Sequence, residues 1–298
     1  MTLTIVASVL WGSTYPVIQQ GLGYYDAFQI SFLRALFATI ALVIYSTVNR
    51  KTRTQLFQAP GDRNSLLLLL AASAFGAVGF WTFLNLSVRY LASDTSSFLV
   101  ALYPLITVVL ASFLLRDRIT VARGLGVGLG IFGTYVIVGF GESASFSGSN
   151  PTLGALVALA AAFSWSACLI TTKILIGRKD KRTGFEYTPE FVTLSIFSIS
   201  IIPTFVIVVL AGDWRGLLSS SVQGFAIVLY LGAITSALAF LIFNMGMKII
   251  GVSRAAINQL LFPIVTVVLS YYMFGETINL ASVLGIALIL LGVAVAQR

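Results

Sequence analysis

Histidine is absent from the 298-residue chain, and cysteine occurs once, as Cys168. The first absence removes imidazole metal ligands and imidazole general bases. The second removes any disulfide framework within the chain, and Cys168, set in an apolar run, reads as a small packing residue. Charge is scarce too: 9% of residues are Asp, Glu, Lys or Arg, against 58% hydrophobic ones and a mean hydropathy of +0.99. A soluble domain carries about a quarter charged residues, so this chain lacks the polar groups to cover a surface in water. With lipid as solvent every backbone N–H and C=O needs an internal partner, which leaves helices or closed barrels. Alternating segments of about ten residues, the mark of a barrel, are missing. The apolar runs are continuous and of about the twenty residues that a spanning helix needs.

Those runs predict an all-α membrane protein with ten transmembrane helices, over residues 2–20, 27–48, 65–91, 95–115, 121–139, 152–176, 190–210, 222–249, 253–274 and 280–296. The first run lacks a basic leading region and a small-residue cleavage pattern, and Trp11, Gly12, Ser13, Thr14 and Tyr15 interrupt it. It is expected to be a retained helix and not a signal peptide. The formal net charge of +8 suggests a nucleic-acid surface only until its distribution is seen, because the cations cluster in short connections. If the N-terminus is cytoplasmic, the connections on the far side hold only Arg89 and Arg215, and Arg34 lies within a helix; every other Lys and Arg falls on the cytoplasmic side. That asymmetry supports ten spans with both termini inside.

The chain repeats itself. "LYPLITVVLASFLLRDRIT" in the first half aligns without gaps with "LFPIVTVVLSYYMFGETIN" in the second. At one constant offset Asn85 pairs with Asn244, Tyr103 with Phe262, Pro104 with Pro263, Asp117 with Glu276, Gly126 with Gly285 and Gly133 with Gly292. More weakly, "LWGSTYPVI" around Trp11 echoes "SWSACLITT" around Trp165. Two units are expected, 1–140 and 152–298, each of five spans. An odd number makes them enter the membrane in opposite directions, as inverted repeats of secondary transporters do around a midplane site. Duplication for structural economy alone is the alternative.

The ordered set "WGSTYPV", "ISFLRALFA", "NLSVRYLASDTSS" and the two halves of the repeat resembles the drug/metabolite transporter superfamily in its ten-helix EamA-type branch, across essentially the whole chain. The departures are Asp117, where that family more often has Glu, and Asp26, where proline is common. The resemblance implies a transporter without cofactors, and a cavity lined by the first, third, fourth, sixth, eighth and ninth helices. It also implies that a proton antiporter of cationic drugs is disfavoured. The small multidrug pumps of the superfamily carry a Glu in the first helix, where this chain has Ser13 and Thr14. No Asp or Glu falls in mid-span here, although proton- and cation-coupled pumps usually carry one.

The candidate substrate-binding residues are Trp11, Ser13, Tyr15, Trp81, Tyr103, Trp165, Asn258 and Gln259. Trp and Tyr prefer membrane interfaces; placed deep, they need partners or a wet cavity, so cavity lining competes with plain packing. Phe83 and Phe262 stand at the same choice. Asn258 and Gln259, one turn before Pro263, either bind polar groups of a substrate or join helices. Asn85 and Asn244 read as structural. Arg34 is expected to pair with Asp26 or Asp94 or to snorkel outward, with anion binding as the alternative. Pro16, Pro104, Pro203 and Pro263 are expected to kink their spans, with Pro104 and Pro263 framing the cavity. The glycine run from Gly124 to Gly133 lies inside a span, so it serves close helix contact and not phosphate binding.

These features predict a small-molecule transporter in the lipid bilayer of a prokaryotic plasma membrane, exporting or exchanging metabolites, amino acids among them. The alternatives are an antiporter of phosphorylated or anionic metabolites, for which Lys173 and Lys248 near helix ends are the further cations, or a non-transport membrane protein such as a scramblase. An intramembrane enzyme, which would need His, paired Asp, or a Ser–Lys or Ser–His arrangement, is disfavoured because none is apparent. No metal site and no nucleic-acid partner is expected.

Overall fold

The computed structural model describes residues 2–54, 60–91, 93–116, 120–140, 149–218, 221–274 and 280–296. Asp117 and Glu276, the paired acids of the repeat, lie outside them. Among the described residues the chain is helical, apart from one isolated antiparallel bridge between Lys179 and Glu186. Six helices are long and apolar enough to cross a membrane, and three shorter apolar helices accompany them. The spans are α1 (Thr2–Gly12 and Thr14–Gly21), α2 (Ala27–Val48), α3 (Arg63–Tyr90), α4 (Ser93–Val100 and Tyr103–Leu114), α5 (Val121–Phe140), α6 (Pro151–Leu175), α7 (Pro189–Ala211), α8 (Val222–Ile250), α9 (Val252–Phe274) and α10 (Leu280–Ala296).

The starts of these helices are written locally. Asp26 caps α2 by accepting from the amides of Phe28 and Gln29 at 2.7 and 2.8 Å, while the Gln29 side chain accepts from the Asp26 amide at 2.7 Å, a complete capping box. Asp62, Asn150, Thr188 and Ser221 cap α3, α6, α7 and α8 in the same manner. Gly251, at φ 84°, makes the turn between α8 and α9.

Several spans are less regular than their apolar runs predict. The first is broken at Ser13, the fourth at Ala101 and Leu102, and the ninth passes through a 3-10 turn at Gln259–Leu261. Pro16, Pro104 and Pro263 each sit in the first turn of the piece that follows the break. There a missing N–H leaves no bond unmade, so these three begin helices where kinks were expected; Pro203 alone lies in a helix interior. Two spans contain π-helical stretches, Ala74–Phe80 in α3 and Leu231–Leu238 in α8. The third and eighth spans are counterparts in the repeat, so the irregularity is duplicated with the sequence.

The packing is reciprocal between the halves. Helix α6 packs on α3 and α4, whereas α1 packs on α8 and α9; α2 pairs with α7, α4 with α9, and α5 with α10. Each half therefore inserts its first helix against the third and fourth of the other. Lipid-facing positions such as Phe113, Leu210 and Val222 are exposed and apolar, as an apolar solvent permits.

At one end of the bundle the α6–α7 connection grips the approach to α3. The Asp180 carboxylate accepts from the amides of Gly61, Asp62, Arg182 and Thr183 at 2.7, 3.1, 2.9 and 3.0 Å, and from the Tyr187 hydroxyl at 2.7 Å. These donors, the Tyr187 hydroxyl foremost, hold the Asp180 carboxyl well below the usual carboxylate range. Burial pushes the Tyr187 phenol up to about 12, and the charge on Asp180 works in the same direction. Arg178 adds an ion pair to Asp62 at 3.4 Å.

Candidate substrate cavity

A narrow cavity lies among the middle turns of α1, α3, α4, α6 and α9, and α2 contributes Arg34. Its walls are aromatic. Trp11 and Trp165 meet edge to face with centroids 5.2 Å apart, Phe80 lies 4.6 Å from Trp165, and Phe240 packs behind both tryptophans. On the other side Phe262 is held between Tyr15 and Tyr103 in a near-parallel stack, at 5.3 and 6.5 Å. Trp81 stacks on Phe197 at 4.9 Å. Such faces offer a rigid apolar bed of the kind that binds small organic ligands.

The polar groups of the cavity are few and mostly donors. Gln259 places its Oε1 between the Tyr103 hydroxyl and the Trp165 Nε1–H, accepting from both, the latter at 3.1 Å. That commits its acceptor, while its Nε2 is buried without a partner. Thr14 Oγ1 is likewise buried and unpartnered. Arg34 is 1% exposed. Its guanidinium lies 4.5 Å over the Trp81 ring, Nε donates to Ser236 Oγ at 3.2 Å, and Nη1 has no partner. Among the described residues Arg34 is the one charged residue lining the cavity.

The two π-helical stretches shape this site. The first ends at Phe80, so that Phe80 and Trp81 both reach the cavity. The second frees the Thr235 carbonyl, which accepts from Trp11 Nε1 at 2.7 Å, and presents Ser236 to Arg34. π-Bulges within α-helices are frequent at functional sites for this reason. Nothing in an apolar run reports such a register change, so neither stretch was foreseen, nor were Thr14, Phe80 and Ser236.

Of the residues singled out from the sequence, Trp11, Tyr15, Trp81, Tyr103, Trp165 and Gln259 line the cavity together. Ser13 does not; its hydroxyl bonds the Leu10 carbonyl and the Tyr230 hydroxyl, both at 2.7 Å. Asn258 also turns away, donating to Thr4 Oγ1 at 2.7 Å while its carbonyl accepts from Ser8, which fastens α9 to α1. Asn85 and Asn244 bridge to α2 and α7. Pro104 and Pro263 stand beside the cavity residues Tyr103 and Phe262. The expected pairing of Arg34 with Asp26 is not made, since the Asp26 carboxylate is spent on the amides of Phe28, Gln29 and Asp213. Asp94, the other candidate, has its side chain outside the described residues. Arg34 instead turns into the cavity, because the π-turn of α8 sets Ser236 where its Nε can donate.

Comparison with known proteins is consistent along the whole length. A probable terminal-alkyne amino-acid exporter of Streptantibioticus cattleyicolor is 26% identical, over 99% of this chain and 92% of its own. The uncharacterized transporter YyaM of Bacillus subtilis is 23% identical over 97% and 90%. A probable amino-acid metabolite efflux pump of Salmonella typhimurium is 24% identical over 97% and 92%. One crystal structure shares the fold with a TM-score of 0.78 at 18% identity, covering 99% of this chain and 97% of that one. The model of the EamA-like transporter family matches residues 1–139 and again 152–297. With one match in each half, an all-helical membrane architecture and a cavity between the halves, this chain belongs to the EamA-like transporter family, a family of transporters and not of enzymes.

Proposed function

We propose that the protein exports or exchanges small organic metabolites with apolar or aromatic bodies, amino acids among them, by alternating access around the aromatic cavity. The observation that carries this reading is the cavity itself: six aromatic residues of α1, α3, α4 and α6, together with Phe262 of α9, surround a few unfilled polar atoms. The two halves, 1–140 and 152–298, serve as the moving units, each contributing walls to the site. The amino-acid exporters among the relatives support the substrate class. The bacterial relatives and the distribution of Lys and Arg support a prokaryotic plasma membrane with both termini cytoplasmic.

An antiporter of phosphorylated metabolites is less well supported, because a dianionic group calls for several cations and among the described residues the cavity offers Arg34 alone. The test is uptake by liposomes containing the purified protein, without an ion gradient, across labelled amino acids and other metabolites. Saturable uptake of one class, abolished in folded Trp11→Ala or Trp165→Ala, is the expected result. Flux that never saturates would instead indicate a scramblase or channel, and uptake that needs an imposed proton or sodium gradient would replace the facilitator with a coupled carrier.

A further inference from the structure

We propose that Arg34 anchors a carboxylate on the transported molecule, so that the cavity selects monocarboxylates with an apolar or aromatic body and has no requirement for a neighbouring ammonium group. The proposal rests on the transport reading above and specifies its substrate class. Three buried polar atoms without partners line the same cavity: Arg34 Nη1, Thr14 Oγ1 and Gln259 Nε2. Each can donate a hydrogen bond. A buried guanidinium with an unfilled donor is costly to keep in an apolar interior, and an anionic ligand removes that cost.

The geometry suits a carboxylate in particular. Stacking on Trp81 holds the guanidinium plane, and the bond from Nε to Ser236 fixes its rotation. The Nη1 edge is left to meet a planar anion. A single cation matches a single negative charge. Acceptors for an ammonium group are scarce: Gln259 Oε1 takes two donors, the Thr235 carbonyl takes Trp11, the Thr14 hydroxyl is a weak neutral acceptor, and among the described residues no acidic side chain lines the cavity. The face of Trp81, otherwise a site for a cation, is covered by Arg34 itself.

The experiment is calorimetric titration of the purified full-length protein in detergent with 3-phenylpropionate, 3-phenylpropionamide, phenethylamine and L-phenylalanine. The acid is expected to bind at least about ten-fold more tightly than the amide, as loss of a charge-assisted bond implies, and L-phenylalanine no more tightly than the acid. Arg34→Gln should reduce the acid to the level of the amide, and Arg34→Lys should keep part of the preference. Equal affinity for acid and amide in the unaltered protein overturns the proposal without any variant, as does a preference for phenethylamine or a preference that survives Arg34→Gln. Absence of binding by all four also overturns it. Counterflow of the tightest probe in liposomes separates the two readings. Binding with the acid preference but no flux refutes transport and leaves the carboxylate site standing, whereas saturable flux that ignores the carboxylate refutes only the role of Arg34.

Discussion

Asn244 donates from Nδ2 to Thr193 Oγ1 over 2.9 Å, and in the other half Asn85 makes the same bond to Ser31 Oγ over 2.8 Å. Each hydroxyl passes its own proton to a carbonyl in the first turn of its helix, Thr193 to Pro189 at 2.6 Å and Ser31 to Ala27 at 2.9 Å. The pair thus fixes α3 to α2 and α8 to α7 by one device used twice. Interhelical bonds in membranes contribute about 1 kcal/mol or somewhat less. Asn85→Ala and Asn244→Ala should each lower stability by about that amount and add in the double variant, as separate sites do. Thermal unfolding in detergent measures the loss, and the half-saturating substrate concentration should stay unchanged because neither residue lines the cavity.

The repeat marked these asparagines as a symmetric pair in matched spans, for which no substrate is needed as an explanation. The spans were legible from apolar length, and most of the aromatic lining from residue type. What the sequence hides is the direction of a side chain where the helix departs from its regular period. Asn258 and Gln259 are neighbours, yet one fastens α9 to α1 and the other faces the cavity; successive helical residues point about 100° apart, and the 3-10 turn that begins at Gln259 alters the period from there on. The setting of Arg34 was hidden for a related reason: Ser236 reaches it from a π-turn in a span 202 residues away, a contact that no local pattern encodes.

Gln259 should be the most sensitive neutral residue of the site. Gln259→Leu removes the acceptor for both the Tyr103 hydroxyl and the Trp165 Nε1–H, leaving the Trp165 donor unmet and the Tyr103 hydroxyl with only a long bond to the Ala256 carbonyl at 3.5 Å. An unmet buried donor costs about 1–3 kcal/mol, so both unfolding midpoint and uptake should fall. Gln259→Glu keeps the acceptor and should restore much of the stability while weakening uptake of anionic substrates beside Arg34. Comparing unfolding midpoints with initial uptake rates distinguishes the two effects, and equal behaviour of the variants would refute the acceptor role.

The Asp180 hub predicts a pH profile. Its carboxyl lies below the ordinary aspartate value of 3.8 in the folded protein. Its stabilisation is therefore fully present above that value and is lost as pH falls through the depressed folded one. Tyr187 acts at the other limb. Raised from 10.0 to about 12, it contributes fully below pH 10 and progressively less as pH rises toward 12. Unfolding midpoints of detergent-solubilised protein should be flat with respect to these two groups between those limits. Asp180→Asn should remove the acid-side dependence and Tyr187→Phe the alkaline one.

The glycines of α5 carry a sharper contrast. A Cβ at Gly126 would run into Ala296 and the Gly292 carbonyl, and one at Gly133 would stand 2.6 Å from the Gly285 carbonyl and 2.9 Å from the Ile289 amide nitrogen of α10. These obstacles are backbone, which cannot rotate aside, so Gly126→Ala and Gly133→Ala should force α5 from α10 and cost about 1–3 kcal/mol as overpacking does. Gly124 and Gly128, in the same run, have nothing within 4 Å of an added Cβ. There alanine should be tolerated and should strengthen the helix by roughly 0.5–1 kcal/mol. Thermal unfolding of the four single variants tests the packing: if Gly126→Ala and Gly133→Ala matched Gly124→Ala and Gly128→Ala, the close approach of α5 and α10 would be wrong.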